Sequence, residues 1–266
     1  MFGRTSSLAG VLSIPTGARR TPVVILGAGI IHKVGPSRVS VDLARTLASA
    51  GHPTLRFDLS GIGDSPRAAE PRLEEAVVAD IHDAVTTLLE SVPGWGAGVC
   101  LLGFCSGADN AFFVARSDPR VEALVLFDPT VHPTNGYRRR LLLKRLRSGR
   151  SWLNVLTGRS LWLRLTERES AESRPPGYYG LLITPPAETD SGARQLVGRG
   201  VRLLYVLSGA AQSYCNSPRQ IAESMPHGYD AALVTVKWLP DLSHIFSGRG
   251  EAGVFSSVVL EWLASR

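Results

Sequence analysis

Only three cysteines occur in the 266 residues, Cys100, Cys105 and Cys215. So odd and sparse a set cannot build a disulfide framework, and none of the three has the spacing of a zinc ligand set. No apolar run approaches the ~18–20 residues that span a bilayer, so no transmembrane segment is expected. The N-terminus, MFGRTSSLAGVLSIPTG, lacks the basic start and long apolar stretch of a secretory signal. These absences lead us to expect a cytoplasmic protein. Internal repeats are lacking, and so are nucleotide- and metal-binding motifs; LGAGIIHKVG (26–35) is only loosely a Gly-rich cofactor loop. No cofactor and no metal are expected.

What is present fits a soluble globular chain, 44% hydrophobic and 20% charged. Its length suits one α/β domain carrying an insertion. The net charge of +6 is uneven, much of it lying between Gly136 and Leu165. A basic chain can bind nucleic acid, but no helix-turn-helix, RNA-binding signature or zinc motif accompanies the arginines. No nucleic-acid partner is expected, and the plain reading is a solvated face on an amphipathic insert.

Six apolar runs read as strands: 22–28, 53–60, 98–104, 121–129, 201–209 and 231–239. Most are continuously hydrophobic, as parallel strands covered on both faces must be. Helical spacing fills the intervals 37–50, 72–92, 217–225 and 253–265. TSSLAGVLSIP (5–15) adds an antiparallel edge strand. The pattern is a doubly wound, mostly parallel α/β sheet. It breaks between Asp128 and Val201, about 70 residues, too long for a plain loop. We expect a core of 1–129 and 200–266 and a basic helical cap at 130–199. ESRPPGYYGLLITPPAETDSG (172–192) would form the cap's irregular return.

LLGFCSGADNAF (101–112) reads as a strand, a Gly-flanked turn and a helix. Gly103-Phe104-Cys105-Ser106-Gly107 fits the nucleophile elbow, Gly-x-nucleophile-x-Gly. Small residues two before and two after let a strained residue sit between strand and helix. That register makes Cys105 the nucleophile; choosing Ser106 would put Phe104 and Ala108 at the glycine positions. A helix beginning at Ser106 also favours a thiolate at Cys105. The alternative is a Gly-rich turn around an inert cysteine. Cys100, inside GVCLLGF, is read as a core residue.

Two further stretches matter. TLRFDLSGIGDSP (54–66) ends a strand at Asp58, and VTVKWLPDLSHIFS (234–247) puts His244 just after the last strand. With the strand order and the elbow, these resemble the α/β-hydrolase superfamily over nearly the whole chain outside the cap. More narrowly, residues 34–66 with a Cys elbow resemble hydrolases associated with exosortase and exopolysaccharide gene clusters. The resemblance implies an α/β-hydrolase fold with a helical cap inserted between the sixth and seventh strands. It makes His244 the general base for Cys105. It assigns the oxyanion hole to the N–H of Ser106 and an N–H among Ala28, Gly29 and Ile30. His32 or Arg38 would then face substrate. Asp58 and Asp64 read as loop-fixing residues.

The third triad member departs from the family pattern. The usual acid follows the penultimate strand, and in VLSGAAQSYCN that position holds Gln212. Glutamine can orient an imidazole but brings no charge. LVLFDPT ends the preceding strand at Asp128, which would keep the order nucleophile, acid, histidine. Either the acid has moved to Asp128, or Asp128 only forms the turn before Pro129 and a Cys-His dyad remains.

A thiolate nucleophile with an oxyanion hole implies acyl transfer through a thioester. Such a site suits activated substrates: thioesters, enol esters or lactones. The expected activity is that of an esterase, thioesterase or acyltransferase on a small acyl substrate, free or carried on an acyl carrier protein or CoA. Leucines of YRRRLLLKRLRS (137–148), with Trp152 and Trp162, can roof an apolar acyl pocket or simply pack cap on core. The arginines suit an anionic partner. A silent ligand-binding member, supported by Gln212, and another chemistry on the same scaffold are the alternatives.

Overall fold

The computed structural model describes residues 1–4, 7–67, 73–95, 98–146 and 182–265. Seven strands form one sheet: β1 (Gly10–Ser13), β2 (Val23–Leu26), β3 (Thr54–Phe57), β4 (Val99–Phe104), β5 (Val121–Phe127), β6 (Arg202–Ser208) and β7 (Val234–Leu239), in the order β1-β3-β2-β4-β5-β6-β7. β1 runs antiparallel to β3, and every other pairing is parallel. The helices are α1 (Val39–Ser49), α2 (Leu73–Ser91), α3 (Ser106–Ala115), α4 (Asn135–Leu146), α5 (Pro186–Gly198), α6 (Arg219–Ser224) and α7 (Glu251–Ala264). This is the α/β-hydrolase fold. Among the described residues no helix is long and apolar enough to cross a membrane.

Alternation along each strand explains the apolar runs. On β2, Val24 and Leu26 face one cluster with Ile81, Leu88 and Ala111, while Val23 and Ile25 face another with Leu43, Leu47 and Phe255. β4, β5 and β6 divide their side chains in the same way. Both faces are covered, so the central strands β2 (VVIL) and β4 (VCLLGF) are apolar throughout. Each fully buried leucine or phenylalanine stabilises the fold by about 1.5–3 kcal/mol.

Two expectations about the insert need correction. It leaves the sheet after the fifth strand and rejoins it at the sixth, not between the sixth and seventh. A single strand, β1, precedes the first parallel strand, so the count runs one lower. Its return is also not irregular throughout. Residues 186–198 form α5, which begins on Pro186 and buries Gly192, Ala193 and Leu196. Ala193 and Leu196 join the core beside Phe112 and Ala115. Arg199 ties the end of α5 to the carbonyls of Ala115 and Asp118 at 2.7 and 2.8 Å. The core layer therefore resumes before residue 199. Of the proposed acyl roof, Leu142 and Leu146 on α4 are exposed. Trp152 and Trp162 lie outside the described residues.

Topology fixes where chemistry can sit. The chain leaves β2 toward β3 on one side, and leaves β4 toward β5 on the other. The neighbouring loops after β2 and β4 diverge, opening a crevice at the carboxyl ends of those strands. The loop after β2 begins at Gly27, and the loop after β4 holds Cys105.

Candidate active site

Strand β4 passes into α3 through a single strained residue. Cys105 has φ +52° and ψ −117°, a backbone conformation L-residues seldom adopt. Its N–H donates to Phe127 O at 2.8 Å, and its carbonyl accepts from Ala108 N–H at 2.9 Å. The flanking glycines are there because nothing else fits. A Cβ on Gly103 would lie 2.2 Å from Gly107 O, and one on Gly107 would lie 2.4 Å from Gly27 O. The thiol emerges half-buried at the head of α3. The other two cysteines are buried, and all three are free. Burial pushes the Cys100 thiol up to about 12, as suits an inert core residue.

The structure brings Asp128 and His244 together. His244 Nδ1 lies 2.7 Å from Asp128 Oδ2. Asp128 sits at the end of β5 with φ +47° and a fully buried side chain. Its carboxylate also accepts the Ser208 N–H at 2.7 Å and the Ser208 hydroxyl at 2.5 Å. Three donors thus satisfy a charge that burial alone would penalise. The hydrogen bond to Asp128, and after it one to the Cys105 thiol, raises His244 to about 10. With Nδ1 committed to Asp128, Nε2 is the ring nitrogen left for the thiol.

One aromatic cluster underlies all three residues. Phe104 precedes Cys105, Phe127 precedes Asp128, and Phe246 is two residues past His244. Phe127 packs on Phe104, Phe246 and Phe255 with ring centroids 5.6, 4.8 and 5.2 Å apart. The His244 ring stacks over Phe127 at 6.1 Å. Three loops from distant parts of the chain are therefore seated on one rigid apolar block. Sequence reading did not find this cluster, nor Ser208, nor Tyr214. Tyr214 is half-buried beside the site; burial first, then the charges of Asp128 and Cys105, push its hydroxyl far up. The available signal was a phenylalanine within two residues of each candidate residue.

The remaining site candidates are dispersed. Gln212 is exposed on the short turn Ala210–Ser213, and the carboxylate partner of His244 comes from Asp128 instead. Arg38 is exposed, with φ +64° at the head of α1. His32, a candidate to face substrate together with Arg38, joins an ionic cluster while its side chain stays 40% exposed. Its Nε2 lies 3.0 Å from Asp64 Oδ2 and 2.9 Å from Lys33 Nζ. Lys33 Nζ in turn reaches Asp58 Oδ2 at 2.7 Å and Asp64 Oδ2 at 2.6 Å. Burial alone would lower Lys33; hydrogen bonds to Asp58 and Asp64 outweigh it and raise the amine. His32, Asp58 and Asp64 bring their ligand atoms within 4.8 Å of one another, as a metal site would. The Lys33 ammonium contacts all three, so the cluster holds its own cation. Asp58 also accepts the Lys33 and Asp64 amides, at 2.5 and 3.1 Å, fixing both loops.

In the loop expected to build the oxyanion hole, Ala28 and Gly29 play different parts. Gly29 N–H donates to Ser106 Oγ at 2.5 Å, while Ile31 N–H donates to Ala28 O at 2.9 Å. Among the described residues the amides of Ala28 and Ser106 have no such acceptor and border the crevice. Ile30 is exposed.

Solved structures resemble the chain over nearly its whole length. An α/β hydrolase from Sphaerobacter thermophilus superposes with a TM-score of 0.57 at 17% identity, covering 97% of this chain and 96% of that one. A dienelactone hydrolase from Anabaena variabilis gives 0.58 at 16% identity over 98% and 94%. A thermophilic esterase from Thermogutta terrifontis gives 0.56 at 19% over 96% and 92%. These likenesses speak to the fold. No curated protein matches the chain. The sequence profile of one family matches residues 8–141, which hold β1 to β5, the elbow and Asp128. The chain is a hydrolase and belongs to the dienelactone hydrolase family of the α/β-hydrolase superfamily.

Proposed function

We propose that the protein is a cysteine-dependent acyl-transfer enzyme, an esterase, thioesterase or acyltransferase working through a thioester on Cys105. The observation that carries this reading is the 2.7 Å contact of His244 with buried Asp128, which raises the imidazole to about 10 while it bonds the Cys105 thiol. In this reading His244 takes the thiol proton, and Cys105 Sγ is the nucleophile.

The steps follow from the geometry. Sγ attacks the substrate carbonyl carbon and a C–S bond forms. The carbonyl oxygen takes the negative charge and is met by the N–H groups of Ser106 and Ala28. The bond to the leaving group breaks, and His244 Nε2–H hands that group its proton. An acceptor then attacks the thioester, His244 takes the acceptor's proton, and Sγ leaves. Water as acceptor gives hydrolysis. Thiolate is itself a good leaving group, so the first adduct goes forward when the substrate's leaving group is at least as good. Thioesters and enol esters meet that condition, as do lactones whose leaving oxygen is an enolate; simple amides do not.

In the same reading the basic insert ahead of α5, 130–185, is the specificity cap, and Trp152 and Trp162 belong to its acyl pocket. The substrate is a small acyl compound, free or carried on an acyl carrier protein or CoA, and the setting is cytoplasmic. Residues 34–66 and the Cys elbow put the chain near the exosortase-associated hydrolases. Turnover of a panel of thioesters, enol esters and lactones tests the function. Wild type should process at least one member, with Cys105→Ala and His244→Ala each at least 100-fold slower. Activity that survives Cys105→Ala would overturn the proposal.

A further inference from the structure

The hydroxyl of Ser106 has no part in the steps above, yet it occupies a structural position of consequence. Ser106 is buried at the head of α3, immediately after the nucleophile. Its Oγ accepts the Gly29 N–H at 2.5 Å, joining residues 77 apart in sequence. Gly29 sits at φ +52° inside a turn closed by Ile31 N–H on Ala28 O at 2.9 Å. That turn presents the Ala28 N–H, the second oxyanion donor.

Other ties hold this loop only farther out. Lys33 is pinned by Asp58 and Asp64, and Ser37 Oγ donates to Ile245 O at 2.9 Å. Close to the crevice, the Ser106–Gly29 bond is the side-chain link between the loop and the elbow among the described residues. Peptide units are rigid, so the Gly29 amide plane sets the direction of the Ala28 carbonyl and, through the turn, of the Ala28 amide. An oxyanion donor must be placed to within roughly 0.5 Å to act.

We propose that Ser106 is a positioning residue for the oxyanion hole. Its backbone supplies one donor, and its side chain aims the other by fixing the Gly29 amide. This role rests on the acyl-transfer reading above.

Two reagents separate the role from general damage to the elbow. Iodoacetamide alkylates a thiolate and forms no oxyanion. p-Nitrophenyl acetate acylates the same sulfur through one. Ser106→Ala should slow burst acylation by about 10–100-fold, somewhat less than outright loss of a donor. It should leave the pH profile and rate of Cys105 alkylation within two-fold of wild type. Ser106→Thr, which keeps the oxygen, should restore acylation to within about three-fold. Wild-type acylation by Ser106→Ala would overturn the proposal. Equal slowing with both reagents would also overturn it, since that marks a damaged elbow rather than a misaimed donor. A wild type that is alkylated at Cys105 but never acylated would overturn the acyl-transfer reading itself, and this role with it.

Discussion

Asp128→Asn keeps the shape of a side chain that is wholly buried and removes its charge. In the native site one carboxylate oxygen accepts the Ser208 amide at 2.7 Å, and the other accepts Ser208 Oγ at 2.5 Å and His244 Nδ1 at 2.7 Å. An asparagine can leave its oxygen on the Ser208 amide. Its NH2 group then meets the Nδ1–H of His244, donor against donor. The ring must lose that proton or turn away, and either outcome spoils Nε2 for the thiol. A hydrogen bond to a charged group is worth about 1.5–3 kcal/mol, and the lower half of that range applies to a ring 37% exposed. Stability should therefore fall by about 1.5–2 kcal/mol. Acylation should fall far more, roughly 10²–10⁴-fold; a serine triad loses about 10⁴-fold to the same change, and a thiol needs less help from its base. Stopped-flow acylation with p-nitrophenyl acetate, with urea denaturation alongside, measures both. The fall of acyl turnover at high pH, where His244 loses its proton, should move down by more than one pH unit. An Asp128→Asn enzyme that acylates within three-fold of wild type would refute the triad and leave a Cys-His dyad.

Three other consequences are open to test. Gly103→Ala forces a Cβ to 2.2 Å from Gly107 O and should cost about 3 kcal/mol or more in urea unfolding; a loss below 1 kcal/mol would contradict the packing. Lys33→Met leaves the fully buried Asp58 carboxylate without its cation and should destabilise by about 3–5 kcal/mol, whereas a neutral effect would mean that solvent reaches Asp58. His244 is raised from 6.5 to about 10 in the fold, so its contribution is complete below pH 6.5 and is lost as pH rises through about 10. The stability gap between wild type and His244→Gln should accordingly shrink from pH 6 to pH 10; a gap that widened would reverse the sign of the linkage.

Much of the fold is legible because both faces of the sheet are covered. Runs such as VVIL (23–26) and VCLLGF (99–104) leave little doubt once burial on two sides is assumed. Helix α5 escaped the reading because PAETDSG carries Pro, Gly and Ser, the composition of a loop. Packing of Ala193 and Leu196 on α3 overrides that weak local preference. In the site, the elbow was visible because its glycine spacing is a local steric demand. Asp128 was visible as a strand-end acid, but its partnership with Ser208 and His244 spans 80 and 116 residues. The fate of His32 depends on two acids from the following loop, and the Ser106–Gly29 bond joins two loops. Contacts of that kind have no local periodicity to betray them.

Residue-level mapping of the acyl-enzyme tests the central claim most directly. Wild-type protein is treated with a short-chain acyl thioester, quenched in acid, digested and analysed by peptide mass. The account predicts one acyl group on the peptide bearing Cys105, none on Cys100 or Cys215, and none at all in Cys105→Ala or His244→Ala. An acyl group carried by Ser106, or substrate turned over by a protein whose Cys105 stays unmodified throughout, would contradict it.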